Sequence, residues 1–307
     1  TDGDVRRYIL QEESTDVPIS EIANRNFMSI KEKDRERVAD LFNNTGYKHI
    51  PIVDDSGSAV SLVIESGTSL RLEEGKEVPV VIMAGGKGTR LSPLTRIIPK
   101  PLVPVGDKTM IEKIMDSLAG HGFNDFRVVV NYKMDLIKSY LGDLDLSYKL
   151  TFYEEKEFLG TSGGLHLLKK DIDGPFVLTN CDVIANLDYK ALLEWHREHR
   201  AQLTILGVSK QTEIPYGVVT VDDESYVTAL EEKPSYHHVI MSGIYVLNSS
   251  ALDFMPEDQH LDMDEFITLL LSNGGKVTCY PIEDDWFDMG QLDEYRNFLQ
   301  HLGVTGA

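Results

Sequence analysis

The segment VPVVIMAGGKGTRLSPLTRIIPKPLVPVG, residues 78–106, decides the fold of this chain. Its first seven residues form a continuous apolar run, the pattern of a strand that is buried on both faces of a parallel sheet. The run leads directly into Gly85-Gly86-Lys87-Gly88-Thr89-Arg90. Glycines lack a Cβ atom, so three of them close together allow the backbone to approach a ligand or to adopt positive φ. The segment therefore predicts a central strand followed by a ligand-binding loop.

This loop is basic although the chain is acidic. The 307 residues include 30 Lys and Arg against 50 Asp and Glu, a formal charge of -20, yet residues 84–106 contain no acidic side chain. So negative a chain does not attract nucleic acids or anionic membranes in general, and we expect neither as a partner. A polyphosphate could be held locally by loop amides, with Arg90 and Lys100 supplying positive charge.

Two familiar phosphate loops are excluded by spacing. A P-loop needs Ser or Thr after its Gly-Lys pair, and here Gly88 follows Lys87; a dinucleotide fingerprint needs a third glycine where Leu91 stands. Prolines follow the loop closely, and because each fixes φ and disfavours helix in the residue before it, they predict an extended segment. These prolines are Pro93, Pro99, Pro101 and Pro104.

Composition limits the class of protein. The chain is long enough for two domains, and 42% of its residues are hydrophobic. Cys181 and Cys279 show no metal-binding spacing, which favours a reducing, cytoplasmic setting. No apolar run reaches the length of a membrane span, and no signal peptide is evident. The chain begins at Thr1 rather than Met, so we expect further residues upstream.

Periodicity predicts alternating strands and helices, which favours an α/β fold: a Rossmann-like mixed, mostly parallel sheet with helices on both faces. Ligands bind such sheets where strands end and loops begin. Residues 1–66 form a small separate α/β unit, 67–77 a linker, and 78–307 the main domain. The predicted strands are 49–53, 60–64, 78–84, 126–132, 150–153, 176–180, 203–208, 217–221, 239–247 and 277–282, and the predicted helices are 34–44, 110–121, 136–141, 162–170, 188–199, 263–272 and 291–302.

The glycine segment resembles the signature of the sugar-nucleotide pyrophosphorylases, which join a nucleoside triphosphate to a sugar 1-phosphate. The resemblance implies the nucleotidyltransferase fold, with Arg90 and Lys100 holding the triphosphate. It also places five residues of the loop against the nucleotide: Ala84, Gly85, Gly86, Gly88 and Thr89. The matching positions are Gly85, Gly86, Gly88, Arg90, Leu91, Pro93, Leu94, Thr95, Pro99, Lys100, Pro101 and Leu102.

The same resemblance implies a Mg²⁺ site. Asp182 follows the strand in VLTNCDVI, where a carboxylate would face the ligand crevice. The family usually has a glycine at the position of Cys181, which we place against the nucleotide. Asp288 in DDWFDMGQLDEY is the second predicted ligand, with Asp284 and Asp285 as rivals.

Three further segments resemble the base-binding and sugar-binding parts of the family. GTSGGL would place Gly160 and Thr161 at the nucleotide and Gly164 at the sugar, with Ser162 as a helix N-cap. EEKP matches a motif whose lysine, here Lys233, binds the sugar phosphate and whose glutamate binds sugar hydroxyls. That glutamate is Glu231 or Glu232. Gly217 and Gly243 would line the hexose, although either glycine could instead mark a bulge or turn.

The implied reaction needs no general base, because the sugar phosphate oxygen is already an anionic nucleophile. It would attack the α-phosphorus in line and release pyrophosphate, with Mg²⁺, Arg90, Lys100 and Lys233 neutralising charge. We favour GTP with a hexosamine 1-phosphate over UTP, dTTP or CTP with another hexose 1-phosphate. Two other classes remain open: a non-catalytic nucleotide-sugar sensor, and a glycosyltransferase, for which NCDVI offers only one aspartate of a DxD motif.

The N-terminal part resembles part of a CBS domain. HIPIVDDSGSAVSLV, residues 49–63, is similar to the strand-turn-strand of a repeat, and TDGDVRRYIL is similar to the end of a preceding repeat. In a complete pair, Thr1 and Asp2 would contact the ribose of an adenine nucleotide. A CBS module joined to a pyrophosphorylase domain resembles the domain arrangement of bacterial enzymes that make GDP-amino sugars for surface glycans. Self-association into a homo-oligomer stays open.

Overall fold

This computed structural model describes residues 8–10, 17–24, 27–31, 34, 41, 49–54, 57, 59–64, 78–283 and 286–303. The chain divides into two compact units, Thr1–Arg71 and Leu72–Ala307. The predicted linker at 67–77 lies outside the described residues, and so do Thr1, Asp2, Asp284 and Asp285. In the part of the chain that is described, no helix is both long and apolar enough to cross a bilayer.

The first unit contains a short helix and a three-stranded sheet in the order β1-β2-β3. Strand β1 runs parallel to β2, and β2 runs antiparallel to β3. Ile50 and Ile52 are fully buried, as expected for alternate residues of a strand with one covered face. The strands confirm the two predicted here, whereas most of the predicted helix 34–44 lies outside the described residues, and the CBS resemblance stays a prediction. The bounds are α1 (Ile19–Ile22), β1 (Ile30–Lys31), β2 (His49–Val53) and β3 (Ala59–Ile64).

The second unit is built on a seven-stranded sheet in the order β15-β11-β14-β9-β4-β7-β8. Strand β14 runs antiparallel to both its neighbours, and the other four pairings are parallel. The mixed, mostly parallel sheet that the sequence predicts is confirmed. Its strands are β4 (Val80–Ala84), β7 (Asp125–Val130), β8 (Lys149–Glu154), β9 (Pro175–Asn180), β11 (Leu203–Glu213), β14 (Ser235–Asn248) and β15 (Val277–Ile282).

Both faces of this sheet are covered. Along β4, Val80, Ile82 and Ala84 belong to one hydrophobic cluster and Val81 and Met83 to the other, because successive side chains of a strand point to opposite faces. The first cluster includes residues of α3, α5 and α7, and the second includes residues of α6. The helices are α2 (Leu94–Ile97), α3 (Met110–Gly120), α4 (Met134–Gly142), α5 (Tyr189–Glu198), α6 (Met263–Ser272) and α7 (Leu292–His301).

Three small strand pairs complete the unit, and the sequence predicted only β12 among their six strands. Two to five residues are too few to show a hydrophobic period. Strands β11 and β14 also run past their predicted ends, because their outer parts leave the core and lose the apolar pattern. The pairs are β5 (Pro104–Val105) with β6 (Lys108–Thr109), β10 (Val183–Ala185) with β16 (Trp286–Asp288), and β12 (Val218–Val221) with β13 (Val227–Glu231).

The proline-rich segment corrects one expectation. It is not extended throughout: helix α2 occupies Leu94–Ile97, and a 3-10 turn occupies Lys100–Leu102. Ser92, Ile98 and Val103, each of which precedes a proline, are extended, and so is Pro99. Prolines therefore fix the breaks between short helical turns, and the turns between them form by local hydrogen bonds.

The strand order places the site. From β4 the chain proceeds through β7 to β8 on one side, whereas β9 lies on the other side of β4. Ligands bind open α/β sheets at such a reversal, beyond the carboxyl ends of the strands. The glycine loop follows β4, and Asp182 follows β9 closely, so both lie beside this crevice.

Candidate active site

The two predicted metal ligands come together through a short strand pair. Asp182 precedes β10, Asp288 ends β16, and the antiparallel register places Val183 opposite Asp288. The backbone N–H of Met289 donates to the carbonyl of Asp182 at 2.8 Å. Two carboxylates that are distant in sequence thus occupy one edge of the sheet, at the reversal point.

Gly290 lies between these carboxylates, and the sequence analysis missed it. A Cβ atom on Gly290 would overlap Asp182 Oδ2, would lie 2.8 Å from Asp288 Oδ1, and would lie 3.3 Å from an Arg90 guanidinium nitrogen. The N–H of Gly290 also donates to Asp288 Oδ1 at 2.7 Å. Only glycine lets the two carboxylates and Arg90 converge here; the one sequence signal was its place in the Asp-Met-Gly segment after Asp288.

Lys100 forms an ion pair with Asp182. Burial lowers the pKa of Lys100, but the Asp182 carboxylate outweighs that effect and leaves the pKa above its ordinary value. Burial, together with the charge of Asp182, raises the pKa of Asp288. Two desolvated carboxylates side by side repel each other, and a hard divalent cation relieves that repulsion by taking oxygen ligands. Asp182 and Asp288 therefore fit Mg²⁺.

The glycine loop packs closely on the stem of Lys100. Gly88 has φ +63, and a Cβ atom there would lie 2.7 Å from Lys100 Cβ. The Thr95 hydroxyl donates to the Gly88 carbonyl at 2.9 Å, which fixes this approach. Gly86 has no atom within 4 Å of its Cβ position, so it faces open space, while Thr89 and Arg90 are exposed. Local packing thus holds Lys100 toward Asp182, and a guanidinium nitrogen of Arg90 lies near the Gly290 Cβ position, beside the same carboxylates.

Cys181 precedes Asp182 but has no nucleophilic role. Its side chain is buried, and this burial raises the pKa of the thiol to about 12. At neutral pH the sulfur is therefore a neutral packing group, since only the thiolate reacts. Its predicted contact with the nucleotide stays a prediction.

The Gly160–Gly164 loop is tied to the start of α6. Asp262 Oδ1 accepts from the Thr161 amide at 2.9 Å and from its hydroxyl at 3.2 Å. Gly160 has φ +85, and a Cβ atom there would lie 2.6 Å from the carbonyl of Leu261. The predicted N-cap role of Ser162 is wrong: its hydroxyl donates to the carbonyl of Leu261 at 2.9 Å, and a 3-10 turn follows instead of an α-helix.

We expect Asp262→Ala to loosen this loop. The variant removes two hydrogen bonds to Thr161 and the capping box of α6, a loss of about 1 to 2 kcal/mol. The KM for the nucleotide should rise about 10-fold, with a smaller change in kcat. Asp264→Ala, which changes an exposed acid in the same helical turn, is the control for steady-state kinetics. Equal KM values in the two variants would contradict a role of Asp262 in holding the Gly160–Gly164 loop.

The predicted sugar ligands fall into three places. Gly217 and the Glu231-Glu232-Lys233 segment lie together on the exposed β12–β13 hairpin, where a Cβ atom on Gly217 would be 3.1 Å from Glu232 Oε2. Gly243 lies elsewhere, in a bulge of β14. Gly164 is buried against Val129. The sugar roles of all six residues stay predictions.

The bulge at Gly243 lies beside the end of β9, where the crevice begins. The register of β14 against β11 shifts there, Gly243 has φ +87, and a Cβ atom would lie 2.8 Å from Asn180 Nδ2. Asn180 ends β9, two residues before Asp182. The indole N–H of Trp286 in β16 donates to the carbonyl of Ser242 at 2.9 Å, which joins the bulge to the Asp288 strand. Glycine is thus required here by backbone geometry.

A second residue that the sequence analysis missed is the acidic Glu155, directly after β8. The residue is only 2% exposed, and its two oxygens would overlap Cβ atoms placed on Gly85 and Gly164. Burial raises the pKa of Glu155 to about 7, although the Leu159 backbone amide opposes the shift. The glutamate-rich segment around it gave no signal, because burial of one glutamate among several is decided by the fold.

The raised pKa predicts a pH-dependent stability. Between pH about 4.3 and 7 the folded chain keeps a proton on Glu155 that the unfolded chain releases, so this contribution to stability falls as pH rises through that window. Glu155→Gln lacks the ionisation, and we expect it to gain about 1 to 3 kcal/mol over the wild type at pH 8 but little at pH 5. Thermal unfolding at both pH values measures this, and a pH-independent difference would contradict it.

Most of this chain matches a known protein family. The model of a family described as nucleotidyl transferase matches residues 79–303, most of the chain. The chain belongs to the nucleotidyl transferase family. Its match spans the sheet, the glycine loop and both Asp182 and Asp288.

Relatives of this nucleotidyl transferase carry informative names. It is 34% identical over 225 residues to mannose-1-phosphate guanyltransferase of Candida albicans and 35% identical over 226 residues to that of Schizosaccharomyces pombe. The matches cover 70% of this chain but only 62% and 61% of those proteins. The chain therefore matches about three fifths of the length of these relatives.

Two solved structures share the fold of this chain. HddC from Yersinia pseudotuberculosis, in complex with GMP-PN, superposes with a TM-score of 0.59 at 28% identity, over 73% of this chain and 99% of that one. A putative glucose-1-phosphate thymidylyltransferase from Bacillus anthracis has a TM-score of 0.58 at 22% identity, over 75% and 96% of the two chains. The second likeness concerns the fold alone.

Proposed function

We propose that this chain transfers a guanylyl group from GTP to a sugar 1-phosphate and releases pyrophosphate. The observation that carries the proposal is the convergence of Arg90, Lys100, Asp182 and Asp288 around Gly290. Two cations and two carboxylates at the switch point of the sheet match the needs of a triphosphate with its metal. The choice of guanine is supported by the names of the relatives and by the GMP-PN complex of HddC.

The chain's own residues position the reactants and neutralise charge. Arg90 and Lys100 bind phosphate oxygens, and Asp182 keeps Lys100 charged and oriented. A magnesium ion held by Asp182 and Asp288 would neutralise the triphosphate and orient its α-phosphate. The sugar phosphate oxygen forms a bond to the α-phosphorus while the bond to the β-phosphate oxygen breaks. No residue has to remove a proton, because the nucleophile is already ionised.

Mannose 1-phosphate is the first sugar substrate to test, because the relatives at 34 and 35% identity are named for it. A hexosamine 1-phosphate is the second, on the resemblance of the N-terminal unit to CBS modules of enzymes that make GDP-amino sugars. Both are hexose 1-phosphates, so the phosphate-binding residues would contact the same phosphate group in each. Glu231 or Glu232, predicted to bind sugar hydroxyls, would provide the contacts that distinguish them.

Pyrophosphate release tests the proposal directly. The purified chain is incubated with Mg²⁺ and each pairing of GTP, UTP, dTTP or CTP with mannose, glucose, glucosamine or N-acetylglucosamine 1-phosphate. We expect turnover with GTP, abolished by a chelator and restored by added Mg²⁺. Nucleotide binding without turnover in any pairing would instead support the non-catalytic sensor.

A further inference from the structure

The β12–β13 hairpin is exposed over nearly its whole length, and every residue from Val219 to Lys233 is accessible to solvent. Its turn is nevertheless well defined, because the Asp222 carboxylate accepts from the amide of Glu224 at 3.0 Å and from that of Tyr226 at 2.9 Å. A two-stranded hairpin by itself is only marginally stable in water. So regular and so exposed a hairpin therefore calls for a surface that covers it.

One face of this hairpin is aliphatic. Residues that pair directly across two strands point to the same side, and so do residues two apart on one strand. The register pairs Val219 with Leu230, and Val221 with Val227. These four side chains, which we call the aliphatic face, are between 54 and 70% exposed. A contiguous exposed apolar surface on a globular unit marks a site that binds another molecule.

The hairpin is also strongly acidic. Residues 211–232 contain six Asp or Glu and no Lys or Arg. Three of these acids, Asp222, Asp223 and Glu224, follow one another in the turn at the tip of the hairpin. A partner for the hairpin therefore needs an apolar surface that is bordered by positive charge.

The same chain has such a surface on α2 and α4. Three apolar residues at and just beyond α2 are spaced by three and four positions, as on one side of a helix, and Ile97 among them is 78% exposed. The Lys133 ammonium group joins the two helices, since it donates to the carbonyls of Arg96 and Ile97 at 2.7 Å each. Leu136 follows in the first turn of α4. The exposed apolar residues, which we call the α2–α4 patch, are Leu94, Ile97, Ile98 and Leu136.

Positive charge borders this patch. Helix α2 lies within residues 84–106, which contain four basic residues and no acidic one. Arg96 is exposed next to Ile97, and Lys133 lies between the two helices. Asp135 at the start of α4 offsets these cations only in part. The α2–α4 patch is therefore complementary to the hairpin both in charge and in apolar character.

The two surfaces do not meet within one chain. The hairpin is inserted between β11 and β14, whereas α2 follows β4 and α4 follows β7. Strand β7 lies four strands from β11 in the sheet, a separation of about 19 Å. Both surfaces are exposed, so neither covers the other in a single copy. A second copy of the chain carries the missing half of each contact.

We propose that this chain forms a two-fold symmetric dimer, in which the aliphatic face of each hairpin packs on the α2–α4 patch of the other copy. The acidic turn then lies near Arg96 and Lys133, so charge fixes the direction of the contact. Two-fold symmetry forms both contacts together and closes the assembly at two chains. The hairpin also carries Lys233, so the dimer contact holds the segment that is predicted to bind the sugar phosphate.

Sedimentation equilibrium of the purified chain tests the proposal. We expect twice the 34.5 kDa mass of one chain at about 100 μM protein. Leu230→Glu and Ile97→Glu should each weaken the dimer by about 100-fold, because either substitution places an unpaired carboxylate in the apolar contact. Leu271→Glu changes a leucine of α6 that is 55% exposed, and it should leave the dimer constant within about threefold of the wild type.

An exchange of charges tests how the two surfaces meet. Asp223→Arg and Arg96→Asp should each weaken the dimer by about 10-fold, because each brings like charges together. A chain that carries both substitutions should recover to within about threefold of the wild type, since opposite charges then face each other again. Both side chains are exposed, so this test remains if a glutamate variant does not fold.

Three results would overturn the proposal. The first is a monomeric wild type at the highest concentration, and the second is a dimer that survives Leu230→Glu. The third is a dimer that Leu230→Glu separates but Ile97→Glu does not, because the hairpin would then meet another surface, such as a second hairpin. Dissociation in both glutamate variants, with recovery in the charge-exchanged chain, supports the dimer. The proposed guanylyl transfer does not depend on any of these results.

Discussion

Asp182→Asn is expected to reduce kcat by about 100-fold to 10,000-fold while the chain remains folded. The substitution keeps the shape of the side chain but removes the charge that Lys100 pairs with. It also halves the carboxylate charge available to the metal, since Asp288 is the other predicted ligand. Removing one partner of a buried ion pair leaves the other uncompensated, at a cost of about 3 to 5 kcal/mol.

The matched control is Asp116→Asn. Asp116 pairs with Lys108 at 2.6 Å, but both side chains are about 40% exposed. A solvent-exposed pair contributes about 1 kcal/mol or less, so this variant should keep activity within about twofold of the wild type. Steady-state pyrophosphate release at saturating Mg²⁺ measures both. More than a tenth of wild-type activity in Asp182→Asn would show that Asp182 does not hold the metal.

Gly290→Ala should produce the second large effect, a loss of about 100-fold or more in kcat/KM, without any change of charge. The backbone of Gly290 is not in the left-handed region, so alanine is conformationally acceptable. Its methyl group, however, would overlap Asp182 Oδ2 and crowd Asp288 and Arg90. The carboxylates would separate, and the Mg²⁺ concentration for half-maximal activity should rise about 10-fold.

Gly120→Ala is the control for this substitution. Gly120 ends α3 and has no atom within 4 Å of its Cβ position, so alanine should be neutral or stabilise the helix by about 0.5 to 1 kcal/mol. Mg²⁺ titrations and thermal melts of both variants separate a site effect from a folding effect. An unchanged Mg²⁺ requirement in Gly290→Ala would mean that the carboxylates can move apart without loss.

The order of elements was predictable because its signals are local. The apolar run at 78–84 became β4, and the helix predicted at 263–272 has those bounds in the structure. Periodicity and caps act within one or two turns of chain, and a sequence displays them directly. The prediction of an extended proline-rich segment was wrong for a related reason. Each proline constrains its own backbone and that of the residue before it, and the residues after it remain free to form turns.

The sequence by itself determined the α/β class and the basic glycine loop, because residue type and short-range spacing carry that information, and its resemblance to the pyrophosphorylases added the candidate groups Arg90, Lys100, Asp182 and Asp288. Only the tertiary structure decided that β10 and β16 pair, that Gly290 must stay small between two carboxylates, and that Glu155 is the buried glutamate of its segment. These facts depend on which distant strands become neighbours. Burial and close approach are properties of that arrangement, and no single stretch of sequence contains them.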